Sequence, residues 1–396
     1  MMKMKRINIY VMAMAALSLT TAATSCDRDE VLIDIEQTQV APPAATDCSF
    51  YLLNEGNMGS NKASIDYFDA TTGIYNRNIY AARNPSVVME LGDVGNDIQI
   101  YGDKMYAVIN CSHKVEVLTP DSARRITQID IPNCRYVVGH GPYVYVSSYV
   151  GDVQIDPTAP RGAVFKVDTV SLSVVGSVEV GYQPEEMTIV GDRLYVANSG
   201  GYRVPNYDNT VSVIDLNSFT VADVITVEQS ANFHRLDRDS HGRLWLSSRG
   251  NYYGDFNSDL FVIDPESKQV IKDMQVPVSD MWADGDTLYA ISTEWSYVTG
   301  ENTVSYAKID MSSMEVLDRN IIKDGTDRSI RIPYGIAVNP VTKDFYVCDA
   351  KSYVVAGTIY CFSPDGYLKW KQTTGQIPAH FAFYIRKGVL QLNSNL

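Results

Sequence analysis

Histidine is scarce in this sequence, and no pattern typical of a metal site accompanies it. The five histidines are His113, His140, His234, His241 and His380. None has a second metal ligand at short helical or strand spacing, and the Cys-x-x-Cys pairs of zinc sites are missing. We therefore expect no metal and no cofactor, the one alternative being a cluster of His113, His234 and His380 on one face of the fold.

Signatures of catalysis are missing as well. The sequence contains neither a Gly-x-Ser-x-Gly nucleophile elbow nor a glycine-rich phosphate-binding loop. We therefore expect no catalytic residue, and a protein that binds its ligand without transforming it.

Basic residues are outnumbered by acidic ones. Lys and Arg total 33 against 47 Asp and Glu, a net charge of -14. Residues 1–25 hold three basic residues and no acidic one, so the chain without them carries -14 - 3 = -17. Such a charge makes a nucleic-acid partner unfavourable.

The sequence also lacks an apolar run of the length that a membrane-spanning helix needs. Its N-terminal run, Ile7 to Leu19, is too short, follows three basic residues, and leads through small residues to Ser25 and Cys26. This order predicts an export signal over residues 1–25. The segment Ala23-Thr-Ser-Cys26 resembles a bacterial lipoprotein box, which implies that Cys26 becomes the lipidated N-terminus and is held to the membrane. Ala23 replaces the usual Leu, so ordinary secretion, or a periplasmic location, is the alternative.

The residues after Cys26 are charged. Asp27, Arg28, Asp29 and Glu30 resemble the surface-export signal of Bacteroidetes lipoproteins, and a solvated tether is the alternative interpretation. Residues 26–47 include Pro42 and Pro43 and predict a flexible linker. The folded domain is expected over residues 48–396.

A degenerate repeat occupies that domain. Its clearest copy has two alternating apolar runs, Leu194 to Asn198 and Val211 to Asp215, separated by a long loop. Turn residues mark successive copies 39 to 57 residues apart, beginning at Gly102 and ending at Gly388. This period indicates four-stranded propeller blades. The sequence predicts an all-β protein, a seven-bladed β-propeller of four-stranded antiparallel blades closed by N- and C-terminal strands.

The second strand of the closing blade has two candidate segments. His380 to Tyr384 supplies the C-terminal strand, whereas either Phe50 to Leu53 or Val389 to Leu392 supplies the second strand. We favour the N-terminal candidate because a long loop, residues 54–61, follows it as in the other blades. Ala63 to Phe68 and Ile74 to Tyr80 are expected as the third and fourth strands.

Five cysteines follow Cys26, at positions 48, 111, 134, 348 and 361. Disulfides are permitted in an exported protein. Sequence alone does not give their connectivity, and buried free thiols are an equally good interpretation.

Aromatic residues concentrate in the loops that join second to third and fourth to first strands, which share one face of a propeller. Strand propensity does not explain aromatic residues in glycine- and asparagine-rich loops, so these aromatic side chains indicate a binding face. The interleaved polar residues suit a ligand rich in amides, hydroxyls or phosphate. The expected ligand-binding residues are Tyr149, Arg161, Tyr202, Arg203, Tyr207, Arg249, Tyr252, Tyr253, Trp295, Tyr297, Tyr353, His234 and Trp282.

Three segments carry a family resemblance. Leu194-Tyr-Val-Ala-Asn198, Thr210-Val-Ser-Val-Ile-Asp215 and Gly181-Tyr-Gln-Pro184 resemble the YVTN-type repeats of seven-bladed bacterial propellers, over roughly residues 48 to 385. Together with the lipoprotein signal, this architecture resembles the BtuG surface cobalamin-binding lipoproteins of gut Bacteroidetes. The resemblance implies a surface-exposed outer-membrane lipoprotein that captures vitamin B12 (cobalamin), or another corrinoid, and passes it to a TonB-dependent outer-membrane transporter.

Two other functions stay open. The same loops suit a surface-layer or adhesion protein that holds a protein or glycan. A propeller enzyme such as a lactonase would instead need clustered acids or a metal in the central funnel, and the sequence shows no such cluster.

Overall fold

The computed structural model describes residues 35–44, 48–87, 90–295 and 299–385, and these form seven antiparallel sheets. Several predictions fall outside the described residues: the export signal 1–25, Cys26, Tyr297, Gly388 and the candidate strand 389–392. No helix among the described residues is long and apolar enough to cross a membrane.

Each sheet is one blade, and the blades follow one another along the chain. Blade 1 contains β1 (Glu36–Gln39), β2 (Cys48–Asn54), β3 (Ser64–Asp69), β4 (Ile74–Arg77) and the last strand, β29 (Pro378–Ile385). Blade 2 contains β5 (Gly95–Tyr101), β6 (Lys104–Ile109), β7 (Lys114–Leu118) and β8 (Arg125–Asp130). Blade 3 contains β9 (Cys134–His140), β10 (Tyr143–Ser148), β11 (Ala163–Asp168) and β12 (Val174–Glu179). Blade 4 contains β13 (Pro184–Val190), β14 (Arg193–Asn198), β15 (Thr210–Asp215) and β16 (Thr220–Thr226).

The remaining three blades repeat this order. Blade 5 contains β17 (Phe233–Arg238), β18 (Leu244–Ser248), β19 (Asp259–Asp264) and β20 (Gln269–Asp273). Blade 6 contains β21 (Asp280–Asp284), β22 (Thr287–Trp295), β23 (Asn302–Asp310) and β24 (Glu315–Asp318), followed by a 3-10 helix (Thr326–Ser329). Blade 7 contains β25 (Pro333–Val338), β26 (Phe345–Asp349), β27 (Ala356–Phe362) and β28 (Leu368–Gln376). The prediction of seven four-stranded blades is confirmed, with β1 as an additional fifth strand in blade 1.

The turns have the chemistry that the sequence predicts. Between β13 and β14, Gly191 adopts φ +57, which a residue with a side chain rarely does. Between β15 and β16, the Asp215 carboxylate accepts hydrogen bonds from the amides of Asn217 (3.1 Å) and Ser218 (2.8 Å). These short turns form one face of the ring, the turn face, and the long loops form the opposite one, the loop face.

The ring closes in blade 1, where the innermost strand β29 pairs with β2. Tyr51 lies opposite Ala382, and Phe50 lies opposite Phe383. Strand β2 also pairs with β3, so the N-terminal candidate is the second strand of this blade, as favoured above. Closure pairs the edge that an open array would expose.

The segment expected to be a linker is partly a strand. Glu36–Gln39 form β1, which pairs with β4 and extends blade 1 at its outer edge. The side chains of Gln37 and Asn76 are joined by a hydrogen bond of 2.7 Å. Because β1 forms by pairing with the backbone of the edge strand β4, it needs no alternating apolar residues. The sequence of β1 therefore carries no strand pattern.

The fourth strand of blade 1 is also shorter than expected. It ends at Arg77, Asn78 adopts a left-handed backbone, and a short helix, α1 (Ile79–Arg83), follows. Ile79 and Tyr80 are buried in this helix, so the apolar residues that suggested a longer strand serve the core from a different conformation.

The core is divided among clusters that lie between blades. One contains Tyr106 and Val108 of blade 2 together with Val137 and Val144 of blade 3. All five cysteines of the described residues are free, and four of them are buried. Here the free-thiol interpretation holds. The strand register places Cys348 opposite Ile359 and not opposite Cys361.

Candidate functional site

A cavity of about 800 Å³ opens on the loop face, where the long loops meet the beginnings of the inner strands. Nine of the thirteen expected binding residues line it: Tyr149, Tyr202, Tyr207, Arg249, Tyr252, Tyr253, Trp295, Tyr353 and His234. Loops distant in sequence therefore converge on one cavity.

The rim is aromatic, and local backbone structure presents its rings. In blade 5, the Asn251 side-chain oxygen accepts hydrogen bonds from the amides of Tyr253 (3.1 Å) and Gly254 (3.2 Å), which fixes a tight turn. This turn leaves Tyr252 37% and Tyr253 58% exposed. Trp295 lines the same cavity from blade 6 and is 43% exposed. The rim thus offers large apolar rings that a ligand can cover.

The floor is built around one buried carboxylate, Glu185, on the inner strand of blade 4. Its Oε2 accepts hydrogen bonds from Arg135 Nε (3.0 Å) and Nη2 (2.9 Å), and its Oε1 accepts one from Arg249 Nη1 (3.2 Å). The Tyr149 hydroxyl also donates to Oε1. Burial acts to raise the pKa of Glu185, but Arg135 and Arg249 more than offset it, so the net shift is downward. Glu185 is therefore ionised at neutral pH.

A second cluster adjoins the floor on blades 3 and 5. The Tyr136 hydroxyl lies 2.9 Å from His234 Nε2, and the Arg235 guanidinium lies 5.3 Å from the centre of the Tyr136 ring. Burial lowers the pKa of His234 well below its usual value, and Arg249, Arg235 and Arg135 lower it further. His234 is therefore neutral near pH 7.

Blade 1 contributes a hydrogen-bonded acid, Glu55, to the lining of the cavity. Glu55 lies 3.0 Å from His380 Nε2 through Oε1 and accepts a hydrogen bond from the Tyr334 hydroxyl (2.9 Å) through Oε2. His113 does not line the cavity, and its Nδ1 accepts a hydrogen bond from the amide of Asn133. The histidine cluster considered above therefore consists of two members beside Tyr136, and the described residues contain no group of metal ligands.

Three expected binding residues lie elsewhere. Trp282 of β21 is partly buried, and its ring packs edge-on against that of Phe383 in β29 at the margin of two core clusters. Arg203 and Arg161 stack on Tyr182, at 3.5 and 5.3 Å from its ring centre, and neither lines the cavity. The structure therefore places these three residues outside the cavity, because the sequence does not show which side of its element a residue occupies.

The floor residues Arg135, Tyr136, Glu185 and Arg235 were missed, since each lies in an inner strand. An Asn or Gln that recurs just before the inner strands could have pointed to two of them, Arg135 and Glu185. The residues before three inner strands, Asn133, Gln183 and Asn232, have positive φ. Asn232 Nδ2 ties this position to the long loop by donating to the Gly250 carbonyl at 3.0 Å. Two residues after each stand Arg135, Glu185 and His234.

The fold and the cavity define a seven-bladed β-propeller with a central, ligand-sized opening on one face. The chain belongs to the family described as a domain of unknown function, DUF5074, whose model matches residues 49–364. A search of curated protein sequences found no match.

Solved structures share the fold at low identity. A "putative 6-phosphogluconolactonase" from Bacteroides fragilis is 14% identical with a TM-score of 0.58, covering 87% of this chain and 100% of that chain. A quinonprotein alcohol dehydrogenase-like protein from Bacteroides thetaiotaomicron is 12% identical with a TM-score of 0.55, covering 85% and 78%. Hydrazine synthase of Kuenenia stuttgartiensis is 18% identical with a TM-score of 0.53, covering 68% and 76%. At such identities these likenesses show the fold alone.

Proposed function

We propose that the protein binds a corrinoid, cobalamin or its precursor cobinamide, in the loop-face cavity. The observation that carries this proposal is the pairing of an aromatic rim with a charged, hydrogen-bonding floor in one cavity of about 800 Å³. A corrinoid is a broad ring with apolar faces and a fringe of amides, and cobalamin adds a nucleotide with a phosphodiester. It needs both kinds of contact, and a cavity toward the large end of ligand sites.

The proposed cellular role rests on two resemblances, that of the N-terminal segment to a lipoprotein signal and that of the architecture to surface cobalamin-binding lipoproteins. In this proposal, Cys26 carries the lipid anchor, the propeller lies at the cell surface, and the captured corrinoid passes to a TonB-dependent outer-membrane transporter. Binding without catalysis is part of the proposal.

Calorimetry of the purified protein with cobalamin and cobinamide tests the binding. The double substitution Tyr252→Ala and Tyr253→Ala should weaken binding by about tenfold or more, because burial of one large side chain contributes about 1.5–3 kcal/mol. Tyr367→Ala is the matched control, since Tyr367 is 57% exposed but lies in a turn of the turn face. Wild-type protein that binds neither corrinoid at micromolar concentration would exclude the proposal.

A surface-adhesion role is the second candidate. The exposure of Tyr253 and of Phe256, 41% exposed, suits contact with a protein or glycan surface. Binding of a polymer in the absence of corrinoid binding would favour it.

A further inference from the structure

The floor of the cavity carries more positive than negative charge. Arg135 and Arg249 share one carboxylate, Glu185, so the three groups together have a net charge of one positive unit. The Glu185 side chain is fully buried, and its partners surround it. The excess charge therefore resides on the guanidinium groups.

The two arginines differ in how far their donors are used. Arg135 is 12% exposed and gives two hydrogen bonds to Glu185. Arg249 is 28% exposed, lines the cavity, and within the described part of the chain donates one side-chain hydrogen bond, from Nη1 to Glu185. A guanidinium has five N–H donors in a planar fork. Arg249 thus brings a held and oriented charge to the cavity with donors left for a ligand.

Two acidic residues line the cavity, Glu55 from blade 1 and Glu294 from blade 6, whereas Arg249 belongs to blade 5. Glu55 is engaged by His380 and Tyr334 on blade 1, and Asp280 lies 2.9 Å from Arg235 Nε. Glu294, on the blade 6 side, has a pKa raised by burial. The lowered pKa of His234 is consistent with a positive potential, since three arginines contribute to it after burial.

We infer that Arg249, oriented by Glu185 and supported by Arg135, binds an anionic phosphodiester of the ligand at the floor of the cavity. This inference rests on the proposed function and assigns one part of it: the nucleotide-loop phosphate of cobalamin contacts Arg249, while the corrin ring covers the aromatic rim. Planar, bidentate recognition of phosphate is what a guanidinium provides. Cobinamide lacks this phosphodiester and cannot make the contact.

The test measures dissociation constants of wild type and Arg249→Gln for cobalamin and cobinamide. Cobalamin binding should weaken about tenfold or more, the effect of losing a charge-assisted hydrogen bond, while cobinamide binding changes less than about threefold. Arg249→Lys, which keeps the charge but not the fork, should weaken cobalamin binding by an intermediate factor. Arg238→Gln, an exposed arginine near the turn face of the same blade, is the matched control.

Two further measurements do not depend on a variant. The 31P resonance of cobalamin should shift on binding to wild type, and inorganic phosphate should compete with cobalamin but not with cobinamide. Equal losses for both corrinoids in Arg249→Gln, or no loss for either, would overturn the phosphate assignment and leave corrinoid binding intact. Wild-type protein that binds neither corrinoid would overturn both.

Discussion

At the scale of single residues, carboxylates on the inner strands join one blade to the next. Asp97 accepts a hydrogen bond from the amide of Val137 (2.9 Å), and Asp280 accepts one from the amide of Ile336 (2.8 Å). Glu186 does the same for Leu236 (2.8 Å). Burial raises the pKa of all three acids. The carboxylates that connect neighbouring blades therefore also make the stability of the fold depend on pH.

Glu186 gives the clearest pH prediction, because burial raises its pKa from 4.5 to about 8. The folded protein holds this proton where the unfolded chain has lost it. The corresponding stability is fully present below about pH 4.5 and is lost as pH rises through about 8. Glu186→Gln cannot ionise, so its free energy of unfolding relative to wild type should increase with pH over this window. The slope is at most about 1.4 kcal/mol per pH unit.

Urea unfolding of both proteins between pH 5 and 9 measures that difference. The slope should fall below the maximum, because the Glu186 side chain is 31% exposed. Glu179→Gln serves as control, since Glu179 is 73% exposed and should show no such trend. A Glu186→Gln difference that is constant across the pH range would contradict the assignment of a raised pKa.

Residues of the site were predictable where they lie in loops and not where they lie in strands. Tyr252 and Tyr253 stand in a Gly- and Asn-rich segment, so strand formation does not account for them, and both line the cavity. Glu185 and Tyr136 belong to inner strands. In the sequence, a polar strand residue that contributes to the cavity floor looks the same as one that faces bulk solvent. Trp282 shows the converse case, since it lies in a strand, packs against Phe383 and does not line the cavity.

At the scale of elements, inner strands of neighbouring blades approach closely at Gly335. A Cβ built on Gly335 of β25 would lie 2.3 Å from the Ala379 carbonyl oxygen of β29, far inside van der Waals contact. This neighbour is backbone and cannot rotate away. Gly335 therefore sets the distance between blade 7 and the closing strand.

Gly335→Ala should lower the free energy of unfolding by about 1–3 kcal/mol, the usual cost of overpacking. Gly176→Ala is the matched control, because a Cβ there would meet only the Phe219 ring at 3.4 Å, an ordinary contact. That control should be neutral or slightly stabilising, by up to about 1 kcal/mol. If denaturant unfolding gave the two variants equal free energies of unfolding, β25 and β29 would be able to move apart without loss of stability, which contradicts the prediction.

Strands were predictable from the sequence where a repeat specified them. Leu194 to Asn198 and Val211 to Asp215 alternate and recur, and both are strands. Glu36–Gln39 neither alternate nor recur, and they form a strand by pairing with the edge of β4. Local pattern therefore identified the blades but not the additions at their outer edge.

At the scale of the whole molecule, the ring is held by packing and strand pairing, since every cysteine of the described residues is free. Phe381 of β29 is central to closure, with its ring 5.5 Å from that of Phe50 in blade 1 and 5.8 Å from that of Tyr346 in blade 7. It is 6% exposed. One side chain thus bridges the first and last blades.

Phe381→Ala should therefore destabilise the protein by about 3–5 kcal/mol, the range for a buried aromatic ring replaced by Ala. A reducing agent should leave the unfolding midpoint of wild type unchanged, because it has no disulfide to break within the described residues. Denaturant unfolding with and without reductant measures both effects. A large drop on reduction with little effect of Phe381→Ala would mean that covalent links close the ring. The expected pattern places closure on the pairing of β29 with β2 and on the aromatic contacts that surround it.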